Sequence, residues 1–86
     1  MGSKVETLYK LMDNKAEALQ FEVTDDFPYL SIPLKDIKLK KNILIAGIIR
    51  GRKPIIPSGD DVISVGDKIV VIAAGRMLDD LSDIIE

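Results

Sequence analysis

Asp60, Asp61 and Asp67 lie beside Gly59 and Gly66 in the stretch PIIPSGDDVISVGDKIVV, residues 54–71, which also holds Pro54 and Pro57. Carboxylates this close together, next to glycine, could ligate a divalent cation, share a proton in catalysis, or shape turns. A calcium loop of the EF-hand type needs oxygen ligands at alternate positions and a bidentate Glu at its end. Counting from Asp60, the third position is Val62, and apolar residues interrupt the series, so the spacing fails. A catalytic pair needs two acids converging in one pocket with separated pKa values. Asp60 and Asp67 fall in separate turn sequences, and no catalytic residue is assigned. Turn chemistry is the expectation: glycine supplies positive φ and aspartate bonds the neighbouring backbone. Gly51, Gly59, Asp60, Gly66 and Asp67 are the expected turn formers.

The composition removes other chemistries. The chain has no Cys and no His, which excludes thiolate-ligated zinc, a disulfide framework and imidazole acid–base catalysis. No metal site is expected. The glycines at 47, 51, 59, 66 and 75 form no phosphate-binding loop pattern. Gly47 would let a helix or a partner approach its strand closely.

Charge is unevenly spread although the net value is −2. Lys35, Lys38, Lys40, Lys41, Arg50, Arg52 and Lys53 stand against one anion, Asp36, between 35 and 53. Seven anions follow from Gly59 to the end. Two solvated faces of opposite sign, or a site for a small anionic ligand, both fit this pattern. Stacking aromatics are absent from the basic stretch, which argues against nucleic acid as a partner.

These residues must be positioned by one small domain, since 86 residues cannot form two. Its core must be aliphatic, because aromatics number only four. VETLYKLM fits helix or strand periodicity, but the turn signal Asp13-Asn14-Lys15 and the clean alternation of AEALQFEVT favour a hairpin. Ser31, Pro33, Leu34 and Ile37 suggest a short capped helix. ILIAGIIRG reads as a central strand with both faces apolar, PIIP as a short edge strand, and KIVVIAA as a second buried strand. Met77 or Leu78, Leu81, and Ile84 or Ile85 mark a C-terminal amphipathic helix. The expected fold is α+β: a small, mostly antiparallel sheet in the order β-β-α-β-β-β-α, with helices packed on it. Met1-Gly2-Ser3 has the look of a cloning remnant, so residues 1–4 are expected to be scar or linker and 5–86 the domain. The longest apolar run, Ile43 to Ile49, falls far short of the roughly 20 residues a membrane helix needs.

Three pieces together, YKLMDNKAEALQFEV, PLKDIKLKKNILIAGIIRG and PIIPSGDDVISVGDKIVVIA, resemble the TrkA C-terminal domain, also called the RCK C-terminal domain. Ile49-Arg50-Gly51, Ile55-Ile56-Pro57-x-Gly59-Asp60 and Gly66-Asp67-x-Ile69 carry the resemblance most specifically. It implies a non-enzymatic, cytoplasmic regulatory domain of a potassium uptake or channel protein, peripheral to the membrane through its transport partner. It further implies a homodimer, an upstream Rossmann-like nucleotide-binding domain and a membrane potassium-transport subunit. No cofactor is implied for this segment, but a small anionic regulatory ligand of nucleotide type is, with Lys38, Asn42, Leu44 and Arg50 as candidates at the dimer seam. Relatives that bind cyclic di-AMP carry arginine and a polar residue where this sequence has Lys38 and Leu44. Lysine lacks the planar guanidinium fork and Leu44 cannot hydrogen-bond, so this dinucleotide is not the expected ligand. The alternative is a purely structural dimerisation domain of another transporter or antiporter, with no ligand of its own.

Overall fold

The computed structural model describes residues 5–86; the expected cloning remnant lies outside the described residues. Five strands form one sheet, and every pairing is antiparallel. β1 (Val5–Leu11) and β2 (Ala16–Glu22) make the hairpin that the sequence suggested. Met12, Asp13 and Asn14 all take left-handed φ values in its turn, a region that Asp and Asn tolerate better than most residues. β3 (Ile43–Arg50) turns at Gly51 into β4 (Lys53–Ile55), and β5 is Lys68–Ala74. Gly51 has a φ of 63°, as a two-residue hairpin turn with glycine first requires.

The spatial order is β1-β2-β5-β3-β4. The short β4, which carries Pro54, is therefore an edge strand, as its proline suggested. The central position belongs to β5, not to β3 as expected. Both strands are unbroken apolar runs, and periodicity alone cannot rank two such runs.

The α+β expectation is corrected: the described residues contain no α-helix, and two 3₁₀ turns stand where helices were anticipated. The first covers only Leu34–Asp36. Pro33 has a ψ of 138° and so lies outside the helix. The backbone here is bonded laterally instead: Ser31, Leu34 and Lys35 donate their N–H groups to the carbonyls of Ile63, Asp61 and Gly59, at 3.1, 2.9 and 2.9 Å. Lys35 N–H, which an α-helix capped at Ser31 would give to Ser31 C=O, goes to Gly59 instead, and only the 3₁₀ bonds of Asp36 and Ile37 N–H to Pro33 and Leu34 C=O close. The second turn covers Leu81–Ile84. The Asp83 carboxylate accepts from the N–H groups of Asp79 and Asp80, at 2.9 and 3.0 Å, and closes the turn tightly. Beyond it the chain end runs beside residues 38–40: Lys40 N–H donates to Ile84 C=O and Glu86 N–H to Lys38 C=O. Leu81 and Ile84, three apart, are both buried, a spacing that suits a 3₁₀ turn as well as a helix.

One face of the sheet carries the core. Leu19, Phe21, Val23, Ile45, Ile48, Ile69, Val71 and Ala73 pack against Phe27, Ile63, Leu78, Leu81 and Ile84 from the connecting segments. Loops and 3₁₀ turns thus do the covering that helices were expected to do.

Candidate functional site

The aspartates of residues 54–71 have three different surroundings. Ser58 N–H donates to Asp61 Oδ2 at 2.7 Å, while Asp61 N–H returns to Ser58 C=O at 3.1 Å. Six residues on, the same closed turn recurs: Ser64 N–H donates to Asp67 Oδ2 at 2.9 Å, and Asp67 N–H to Ser64 C=O at 3.1 Å. Asp80 and Asp83 form a third, at 3.0 Å in both directions. The common pattern is Ser or Asp, two residues, then Asp. It is the signal that the glycine–aspartate reading passed over. Asp61, not Asp60, is the turn carboxylate of the first loop, and Asp60 instead pairs with Lys35 at 2.9 Å in full solvent. Gly59 is placed by contact: an added Cβ would meet the Lys35 Cβ at 3.1 Å. Gly66 is placed by conformation, with a φ of 90°.

Asp67 is the one buried charged residue among those described, at 2% exposure. Arg50, at the end of β3, clasps it from two sides. Nε donates to Oδ1 at 2.9 Å and Nη2 to Oδ2 at 2.8 Å, while Nη2 also donates to Val62 C=O at 3.0 Å. Burial alone would raise the Asp67 carboxyl. The Arg50 hydrogen bonds, the Ser64 N–H and the guanidinium charge outweigh it and hold the carboxyl below its ordinary value. The Arg50 guanidinium is raised, chiefly by its hydrogen bonds to Asp67. A buried carboxylate that accepts three hydrogen bonds, two of them from one guanidinium, is shielded from solvent and acts here as a structural clasp. No three acidic side chains among the described residues converge in a way that could hold a metal ion.

The expected ligand residues are spread along β3 and the segment before it. Leu44 lines a shallow depression of about 230 Å³ with Leu34, Lys35, Leu39, Ile45, Pro57, Ser58 and Gly59. Asn42 lies just before β3 with a left-handed φ of 63°, and its carbonyl accepts from Ala74 N–H at 3.0 Å. Lys38 reaches Glu86 at 3.1 Å in solvent and does not line the depression. Arg50 sits at the far end of β3 and is engaged by Asp67. The structure therefore brings Leu44 to a concave surface but does not bring the four residues together. The cation at that surface is Lys35. A larger open depression, about 380 Å³, lies between the β1–β2 turn and Gly75–Met77, lined in part by Lys15, Glu17 and Arg76.

The comparison with known families matches residues 18–86 to the TrkA-C domain. The chain belongs to the TrkA-C domain family. A Trk system potassium uptake protein TrkA homolog of Pyrococcus abyssi is 33% identical over 72 residues, which are 83% of this chain and 32% of that protein. Trk system potassium uptake protein TrkA homolog 1 of Methanosarcina mazei is 30% identical over 73 residues, 85% of this chain and 16% of that protein. The TrkA protein of Azorhizobium caulinodans is 30% identical over 70 residues, 81% of this chain and 15% of that protein. The chain thus spans between about a sixth and a third of the length of these relatives. In this TrkA-C domain the residues that carry the resemblance most specifically have a physical role. Ile49-Arg50-Gly51 and Gly66-Asp67 supply the two halves of the clasp and the two left-handed glycines beside it.

Proposed function

We propose that this TrkA-C domain is a non-enzymatic regulatory module of a potassium-transport protein, acting as a homodimer whose arrangement is coupled to monovalent cation movement. The observation that carries the reading is its membership of the TrkA-C family combined with a sheet that the described residues cover on one face only. A regulatory domain needs a surface through which a change of state is passed to a neighbour, and the uncovered face of the sheet is suited to that. An upstream Rossmann-like nucleotide-binding domain and a membrane potassium-transport subunit are the partners this reading assigns, with the module on the cytoplasmic side.

Ligand control belongs to the same reading. A ligand shifts such a module only if it binds one dimer arrangement better than the other. The depression at Leu44 is the place for it, with Lys35 at its margin to meet an anionic group. Thermal shift with ATP, ADP, NAD(H), cyclic di-AMP and divalent ions tests this part, since a ligand of the native state raises the melting temperature by mass action. A nucleotide that raises it in the wild type but not in Leu44→Glu is expected. No shift with any compound at millimolar concentration would contradict ligand control. The regulatory role is tested separately, by rubidium uptake in cells whose gene lacks the coding sequence for residues 5–86. Altered uptake is expected; uptake identical to that of the intact gene would overturn the role.

A further inference from the structure

The depression between the β1–β2 turn and residues 75–77 shares no lining residue with the one at Leu44. Its volume of about 380 Å³ falls within the range of small-molecule sites, about 300–1,000 Å³. Small residues make the room. Ala16 and Ala73, both buried, line it, and Gly75 turns the chain at a φ of 66°. Lys15 and Arg76 border it from segments sixty-one positions apart in sequence (76 − 15). Their backbones are pinned together, since Gly75 N–H donates to Lys15 C=O at 3.2 Å and Ala74 N–H to Asn42 C=O at 3.0 Å.

Two positive side chains thus border one hollow. Arg76 Nε donates to Lys41 C=O at 2.6 Å, which anchors the guanidinium, and no described residue accepts from its Nη groups. Lys15 forms no ion pair with a described residue. The carboxylate in the lining, Glu17, stands opposite Lys10 in the β1–β2 register, and cross-strand partners of opposite sign attract. Glu17 is therefore met from within the sheet, whereas no described carboxylate meets Lys15 or Arg76. Like charges that share a hollow repel, and an anion between them removes that cost.

We propose that this depression binds a phosphate monoester, with the phosphate between Lys15 and Arg76. The inference goes beyond the regulatory reading and does not rest on it. Charge selects the class. Two cations call for a dianion, and a phosphate monoester carries about −1.5 to −2 at neutral pH, where a carboxylate carries a single charge. The guanidinium fork offers paired donors to phosphate oxygens, and the lysine adds a point charge. The hollow is larger than an oxyanion needs, so the organic part of the ester belongs in it too. Sugar hydroxyls suit the Glu17 carboxylate and the Asn14 amide, and Met77, 87% exposed at the rim, offers an adaptable apolar surface. The fit is to a sugar phosphate or a nucleoside monophosphate. Glu17 beside the cations disfavours an extended polyanion, whose further phosphates it would repel.

Amide-resolved NMR titration of the chain at low ionic strength tests the proposal, with AMP, ribose phosphate, inorganic phosphate and acetate as probes. Saturable shifts of the Lys15, Gly75 and Arg76 amides are expected with an ester, at a Kd of roughly 1 mM or below, and not with acetate. The tighter ester names the organic part, and Met77→Ala is expected to reduce its advantage over inorganic phosphate. Arg76→Gln and Lys15→Gln are each expected to weaken binding about fivefold. Lys35→Gln, at the other depression, is expected to leave it unchanged. Lys15→Gln keeps the bond from Arg76 to Lys41, so its loss of affinity reports the missing charge and not an altered loop. Shifts that do not saturate by about 20 mM ester, shifts matched by acetate, or an affinity unchanged in both variants overturn the site. Equal affinity for inorganic phosphate and both esters overturns the monoester assignment.

Discussion

Arg50 and Asp67 meet in a bidentate pair, with Nε to Oδ1 at 2.9 Å and Nη2 to Oδ2 at 2.8 Å. One stands at the end of β3 and the other just before β5, so the pair fixes the turn at Ser64–Asp67 against the sheet. The buried partner is Asp67; Arg50 keeps much of its side chain in water. The two removals therefore differ in cost.

Asp67→Asn leaves the shape but removes the charge, and is expected to cost about 1.5–3 kcal/mol, the range for hydrogen bonds to charged groups. Arg50→Met leaves a buried carboxylate without its partner and is expected to cost more than Asp67→Asn. Urea unfolding at pH 7 measures both.

The same pair sets a pH dependence. The Asp67 carboxyl is held below its unfolded value, so its contribution is fully present above about pH 4 and is lost as pH falls through the folded value. Wild type is expected to lose more stability than Asp67→Asn between pH 5 and 2 (about the range over which a depressed Asp titrates). In Arg50→Met only the Ser64 N–H still opposes burial, so the carboxyl rises relative to wild type. The deficit of that variant against wild type is then expected to shrink on acidification from neutral pH.

Two neighbouring aspartates separate a surface pair from a turn. Asp60→Asn breaks only the exposed contact with Lys35 and is expected to change stability by less than about 0.5 kcal/mol. Asp61→Ala removes the acceptor of the Ser58 N–H and is expected to cost about 1 kcal/mol. Raised salt should abolish the small first effect and not the second.

Glycine has two roles that one comparison distinguishes. Gly66→Ala must adopt a φ of 90° and is expected to destabilise by more than about 1 kcal/mol. Gly47→Ala meets neither strain nor clash, so at low micromolar concentration its melting temperature is expected to equal or exceed that of wild type. Thermal unfolding of the two variants side by side checks this.

The strands were legible in the sequence because each announces itself locally. The alternation of Leu19, Phe21 and Val23 gives the core face of β2, and Pro54 marks an edge. The helices were misread because the evidence against them is not local. The donors of Ser31, Leu34 and Lys35 are taken by residues 59–63, more than twenty positions away, and no window of sequence contains that pairing. Leu81 and Ile84 carry a spacing common to helix and 3₁₀ turn, so burial was readable and conformation was not. The apolar character of both faces of β3 and β5 suggested cover on both sides, but the described residues cover only one. Gly66 and Asp67 carry a local turn signal; that Arg50 reaches Asp67 depends on strand order, which places the end of β3 beside the start of β5.

Rubidium uptake by cells that carry Gly47→Leu in the otherwise intact gene tests most directly whether the sheet's outer face transmits regulation. Uptake at least twofold away from wild type (a change of about 0.4 kcal/mol in a coupled equilibrium), at equal protein level, is the expected result. Uptake indistinguishable from wild type would contradict the proposed coupling.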